Sequence, residues 1–175
     1  MIYAIIGASG SGKDSVCRDV FYEHGIEEAI SSTTRKMRKG ESENNSYKFV
    51  DEINIGEFND SPVKDDSHRG STYWTTLDEF VKSPNVYRTL SRKGVLDVIK
   101  FFTKENVVVI YIYSNQEIIS ERLIKRDGLE SAKQRMLYNF IDFSYDDIDI
   151  ADYVIVNNDL DKSKQLLRNI IQLNI

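Results

Sequence analysis

The sequence predicts an α/β fold with a mostly parallel sheet flanked by helices, and three observations carry that reading. The apolar runs Ile2 to Ile6 and "VVVIYIY" at 107–113 are short and continuous rather than alternating, as strands covered on both faces are, and "YVIVN" at 153–157 reads as a last short strand. Stretches with apolar residues at helical spacing lie between them. The first run leads at once into a glycine-rich loop, "GASGSGK", and then into a helical pattern, which is the order a phosphate cradle requires.

With 175 residues, 41% of them hydrophobic, the chain can bury the core of one compact domain with a small insertion, not two full domains. A net charge of -5 excludes a general binder of nucleic acid polymers, because neutralising a phosphate backbone takes a basic face, although it leaves room for a local basic pocket. No apolar stretch approaches the roughly 18 to 20 residues of a bilayer span, and "IYAIIGAS" begins without a basic leader, so a cytoplasmic protein with no membrane partner is expected. Cys17, the single cysteine, rules out an intrachain disulfide and reads as a small core residue.

The elements follow in order. From Asp14 to about Tyr22, the residues Val16, Cys17, Val20 and Phe21 mark one face of a helix. Between Ile30 and about Thr76, scattered aromatics and turn formers such as "KGESENNS" and "NDSP" read as an irregular or antiparallel insertion. "TTLDEFVKS" reads as a helix capped by Thr75 or Thr76, "NVYRTL" as a short strand, and "KGVLDVIKFFTKE" as a helix with Val95, Val98, Ile99 and Phe102 on its apolar face. Two helical segments, "NQEIISERLIKRDG" and "SAKQRMLYNFI", follow the strand at 107–113 with a break at Asp127-Gly128, and "LDKSKQLLRNIIQLN" is a last helix. Phe101, Phe102, Tyr111 and Tyr113 are assigned to core or surface faces, and His24 and His68 receive no role.

Gly7, Gly12 and Lys13 match the G-x-x-x-x-G-K core of the P-loop, whose backbone N–H groups and helix N-terminus cradle phosphates while the lysine adds a point charge. The phosphate-binding set is therefore Gly7, Ala8, Ser9, Gly10, Ser11, Gly12, Lys13, Asp14 and Ser15. The position after the lysine ordinarily carries a hydroxyl for magnesium, and here it is Asp14. A carboxylate is also an oxygen ligand, so Asp14 is the expected Mg2+ ligand, whereas Ser15 points about 100° away on the helix.

"SSTTRKMRKGESENNSYKFV", residues 31–50, resembles the monophosphate-binding segment of guanylate kinases, S-x-T-T-R-x-x-R-x-G-E followed by Tyr and Phe-Val. Arg35, Arg38, Gly40, Glu41, Tyr47 and Val50 fall in step without a gap. "GSTYWTT", "ERLIKRDG", Arg135 and "ADYVIVNNDLDKS" extend the resemblance, in order, over nearly the whole chain. It implies a P-loop NTPase fold with a core from 1–30 and 77–175, a helical lid at about 115–140 and an NMP-binding subdomain at 31–76. It also implies an ATP- and Mg2+-dependent kinase, a monomer or homodimer, that phosphorylates a nucleoside or deoxynucleoside monophosphate, GMP or dGMP foremost.

The resemblance assigns residues as well. Arg35, Arg38, Tyr47 and Tyr73 would hold the acceptor phosphate, two arginines three apart being able to present guanidinium forks to one phosphate. Ser31 fits the family's base-reading serine, and Thr75 closes the Tyr73 motif. Arg122, Arg126 and Arg135 would close on the transferring group, although Arg122 also reads as a surface charge at helical spacing from Arg126. Asn157 matches a position near the adenine site, or is a turn residue after a strand.

The family also reads guanine with a glutamate in the insertion and an aspartate at the end of a strand bearing Walker-B-like acids. Direct counting puts Lys64 in the first slot and a one-residue gap puts Asp65 there, while Thr89 and Ser91 stand where the acids of the strand end should be. Asp14 would then supply from the P-loop the carboxylate that the strand lacks. A Gly-Lys-Asp loop also resembles those of some phage deoxynucleotide kinases and of ribose 1,5-bisphosphate kinases. The competing readings are therefore a kinase with another acceptor, such as that sugar phosphate, and a non-catalytic module that binds a phosphorylated partner.

Overall fold

The computed structural model describes residues 1–37, 41–42, 47–68, 70–142 and 148–175. Along the chain run β1 (Ile2–Ile6), α1 (Lys13–Glu23), β2 (Glu27–Glu28), β3 (Ser32–Thr33), β4 (Lys48–Phe49), α2 (Ile55–Asp60), β5 (Val63–His68), β6 (Ser71–Thr75) and α3 (Leu77–Val81). They are followed by β7 (Val86–Thr89), α4 (Arg92–Phe102), β8 (Val107–Tyr113), α5 (Gln116–Asp127), α6 (Leu129–Asp142), β9 (Tyr153–Val156) and α7 (Leu160–Asn174).

Five strands form one sheet in the order β2-β7-β1-β8-β9, and every neighbouring pair is parallel. Both faces are covered, which is why β1 is apolar at every position and buried throughout. Its alternate residues serve opposite layers. Tyr3 and Ile5 pack with Val16, Val20 and Phe21 of α1 and Leu167 and Ile171 of α7. Ile2, Ala4 and Ile6 pack with Phe80 of α3 and Val95 and Val98 of α4. With β1 at the centre, the loop after Ile6 leaves the carboxyl edge of the middle strand, where open α/β sheets bind their ligands.

The insertion has more order than its sequence announces. β4-β3-β6-β5 form a second sheet, antiparallel between β3 and β6 and between β6 and β5 but parallel between β3 and β4. The short helix α2, absent from the sequence reading, is capped by Asn54, whose side chain accepts the Glu57 N–H, and it buries none of its residues. A helix with no buried face leaves no periodic signal.

The capping expectation needs correcting too. Thr76 precedes α3 but its side chain makes no capping bond, and Thr75 ends β6. Phe102 packs at 5.3 Å from Phe80, while Phe101 is half exposed. Tyr111 belongs to the core and Tyr113 is 40% exposed. Gly128 separates α5 from α6, which meet through Ile119, Leu123 and Ala132.

Glu79 of α3 ties that helix to β4 of the second sheet and to the start of the insertion. Its carboxylate accepts hydrogen bonds from the Ile30 N–H at 2.8 Å, Lys48 Nζ at 2.7 Å and Lys82 Nζ at 2.9 Å. Burial pushes this carboxyl up, but the three donors outweigh it and hold it down to about 2. Among the described residues, no helix is long and apolar enough to cross a membrane.

Candidate functional site

The loop from Gly7 to Lys13 takes its shape from its neighbours. At Gly7 (φ 152°) a Cβ would lie 2.3 Å from the Ile112 carbonyl oxygen, and at Gly12 (φ 88°) 2.4 Å from Asn157 Nδ2. Only glycine fits either place. Gly12 stands at the N-cap of α1 with no side-chain capping bond, so the first turn of the helix keeps its N–H groups for a ligand. Lys13 folds back over the loop, its ammonium donating to the carbonyls of Gly7 at 2.6 Å and Ala8 at 2.9 Å. Burial lowers its pKa to about 8, against the opposing pull of the Asp14 charge.

Two clefts open on this loop. One, of about 450 Å³, is walled by Ser9, Gly10, Gly12, Ser15, Arg122, Arg126 and Asn157. The other, of about 350 Å³, lies between the loop and the second sheet and is lined by Ser31, Arg35, Tyr47, Asp65, Tyr73, Thr75, Arg88 and Ser91. Lys13, Asp14 and Arg135 line both. The assigned residues of the two halves therefore converge on one lysine, one carboxylate and one arginine.

In the second cleft Ser31 and Thr75 are buried and share a hydroxyl–hydroxyl hydrogen bond of 2.6 Å. Tyr47 and Tyr73 meet edge to face at 5.7 Å. The Arg35 guanidinium lies 5.3 Å from the Tyr47 ring centre and is gripped from the other side by Glu41, in two bonds of 2.9 and 2.8 Å. Arg38 and Gly40 lie outside the described residues. Of the two residues that counting leaves open, Asp65 lines the cleft and pairs in register with Tyr73, while Lys64 turns to the Asn59 carbonyl and the Phe58 ring. Ser91 lines the cleft and also caps α4, accepting the Gly94 N–H at 3.2 Å.

Arg122, Arg126 and Arg135 make different contacts. Arg122 is not a surface charge. Its guanidinium donates to the carbonyls of Ser11 at 3.2 Å and Asn157 at 3.3 Å and to Ser114 Oγ at 3.1 Å, bracing the P-loop from behind. Asn157, almost fully buried, ties in through Nδ2 to the Ser11 carbonyl at 2.7 Å, and its Oδ1 has no partner among the described residues. Arg126 and Arg135 converge on one carboxylate, Asp127, at 2.9 and 2.8 Å, and Arg135 also reaches Ser9 Oγ at 3.4 Å.

Several contributors escape the sequence. Asn139 of α6 grips both main-chain groups of Ser9, accepting its N–H at 2.9 Å and donating to its carbonyl at 2.8 Å. Asp127 carried a signal, since it lies in the "ERLIKRDG" segment beside Arg126, whereas Asn139 carried none. Glu28 and Arg18 line the second cleft beside Asp14 and Arg88. Among the described residues no group of three or more His, Cys, Asp or Glu side chains is placed to cage a metal. Mg2+ needs no such cage, because one or two carboxylates plus phosphate oxygens hold it, and the exposed Asp14 carboxylate at the junction of the clefts fits that mode.

Two clefts that share a P-loop lysine let a phosphate donor and an acceptor meet at one point, and a protein built this way is a P-loop phosphotransferase of the mononucleotide-kinase class. The guanylate kinase family model matches residues 1–174, and the chain belongs to that family. It is 29% identical to the guanylate kinase of Wolinella succinogenes, over 97% of this chain and 82% of that one, and 28% identical to that of Fusobacterium nucleatum, over 98% and 95%. Among solved structures, the guanylate kinase of Anaplasma phagocytophilum superposes with a TM-score of 0.67 at 23% identity, over 99% of this chain and 85% of that one. A sugar kinase from Janibacter sp. HTCC2649 shares the fold more loosely, with a TM-score of 0.54 at 14% identity over 98% and 94%.

Proposed function

We propose that the chain transfers the γ-phosphoryl group of ATP to the phosphate of GMP or dGMP, giving ADP and the guanine nucleoside diphosphate. The observation that carries this reading is the sharing of Lys13, Asp14 and Arg135 by the two clefts. ATP takes the cleft walled by Ser9 to Ser15, Arg122, Arg126 and Asn157. The acceptor takes the cleft of residues 31–76, with its phosphate on Arg35, Arg38, Tyr47 and Tyr73.

Guanine, unlike adenine, offers an N–H and an amino group on one edge, and a carboxylate accepts from both. Asp65 supplies that carboxylate, with the Ser31 and Thr75 hydroxyls beside it, and this favours a guanine nucleotide over a phosphorylated sugar. An attacking phosphate oxygen is already anionic near pH 7, so no general base is required. It forms a bond to the γ-phosphorus as the bond to the β,γ-bridging oxygen breaks, and ADP leaves with that electron pair. Lys13, Arg126 and Arg135 steady the negative charge in transfer, and the lid at about 115–140 excludes water.

Asp14 would hold Mg2+ against the ATP phosphates, where the ion neutralises charge. A cytoplasmic setting and free nucleotides as partners follow from the same reading. Phosphorus NMR of a mixture of protein, Mg-ATP and GMP tests it: GDP and ADP should appear in equal amounts, and not with Lys13→Ala. ADP and orthophosphate without GDP would refute transfer.

A further inference from the structure

Arg88 has no part in the scheme above. It sits on β7 at the bottom of the acceptor cleft and is 3% exposed, in a strand whose end lacks the acids the family resemblance predicts. A guanidinium this deep loses its hydration and must be paid for by partners. One is evident: Nη1 donates to Glu28 Oε1 at 3.0 Å, and the other oxygen of Glu28 is fixed by the Tyr87 hydroxyl at 3.1 Å. The Nε–H has no partner among the described residues, so the cation is held in place without being fully satisfied.

Its surroundings point to the missing partner. The Arg88 guanidinium lies 4.9 Å from the centre of the Tyr47 ring, which Arg35 also faces at 5.3 Å. One aromatic ring thus carries both guanidinium groups, and by the proposed function that ring and Arg35 belong to the acceptor phosphate. The cationic side chains also sort by cleft. Arg122 and Arg126 line only the ATP side, Arg135 lines both, and Arg88 lines only the acceptor side.

We propose that Arg88 binds the acceptor's phosphate monoester, a cation supplied by the sheet core in addition to the arginines of the insertion. The inference rests on the kinase reading of this cleft. Glu28 is then a positioning residue: it fixes the fork of Arg88 and leaves the phosphate to complete the donor that the protein leaves unmatched. Burial raises the pKa of Glu28, against the pull of Arg88 and the Tyr87 hydroxyl, so the pair depends on its own close contact.

Calorimetric titration with GMP and with guanosine, which lacks the phosphate, provides the test, using the wild type, Arg88→Met, Arg88→Lys and the double variant Arg88→Met/Glu28→Gln. The double variant leaves no unpaired Glu28 charge, so it keeps the question answerable if Arg88→Met folds poorly. GMP affinity should fall by roughly 10- to 100-fold in Arg88→Met and in the double variant, and less in Arg88→Lys, while guanosine affinity and the KM for ATP stay within about twofold. Equal losses for GMP and guanosine, or no loss for either, would overturn the inference while wild-type GMP turnover left the kinase reading intact. Wild-type protein that bound no nucleoside monophosphate would remove both.

Discussion

Lys13 combines two demands that oppose each other. Phosphate binding wants a full ammonium charge, yet burial has brought the pKa of this one to about 8. A lysine shifted downward is charged below that value and loses its charge as pH rises through it, and a bound polyphosphate restores the cation. The expected result is a kcat/KM for Mg-ATP that falls on the alkaline side with an apparent pKa near 8, while kcat falls only at higher pH. A kcat/KM profile flat to about pH 9.5 would contradict this account of Lys13. At the neighbouring position, Asp14→Ala should raise the Mg2+ concentration needed for half-maximal activity by at least about tenfold, because one of the few protein ligands available to a phosphate-bound ion is gone. An unchanged magnesium titration would assign the ion elsewhere.

At the scale of elements, the joints between segments are made by single carboxylates. Glu79 joins the start of the insertion to β4 and α3, and its depressed pKa makes a signed prediction. Its contribution to stability is complete above the ordinary carboxyl value of 4.5 and is lost as pH falls from there towards about 2. Glu79→Gln should therefore cost about 1 to 3 kcal/mol at pH 7, with the gap to wild type closing in acid. Denaturant melts at several pH values measure it, and equal midpoints at pH 7 would refute it. At the end of α5, Asp127 holds Arg126 and Arg135 together. Asp127→Ala should lower kcat by roughly tenfold with a smaller change in KM, since the arginines lose their orientation rather than their charge. A faster variant would show instead that Asp127 competes with the phosphoryl group.

The whole molecule was legible in sequence where apolar residues run on or recur with a period. β1 and β8 announced themselves as apolar runs buried along almost their whole length, β9 as an apolar run at the sheet edge although Val154 and Val156 are exposed, α4 and α7 by their helical stripes, and the P-loop by a spacing that only glycines satisfy at Gly7 and Gly12. The second sheet was obscure because β3 and β4 span two residues each and α2 buries nothing, so no period accumulates. In the clefts, the lining residues that sequence singled out are those whose type suits phosphate chemistry, Lys13, Arg35, Tyr47, Tyr73 and Arg135. The site was illegible where a residue acts through its neighbours. Arg122 reads as a helical surface charge until its guanidinium is found on P-loop carbonyls, and Asn139 has no motif at all. Asp65 shows a different limit: counting alone left it level with Lys64, and the alternation of β5 against β6 separated them.

The central claim, that the two clefts bring ATP and a guanine monophosphate together on Lys13, is tested most directly by steady-state ADP release with Mg-ATP. The acceptors to compare are GMP, dGMP, AMP, CMP, UMP and ribose 1,5-bisphosphate, with Lys13→Ala as the blank. The account predicts turnover that depends on GMP or dGMP, with a kcat/KM well above that of every other acceptor. Turnover greatest with the sugar bisphosphate or a non-guanine nucleotide, or ADP release indifferent to any acceptor, would contradict it.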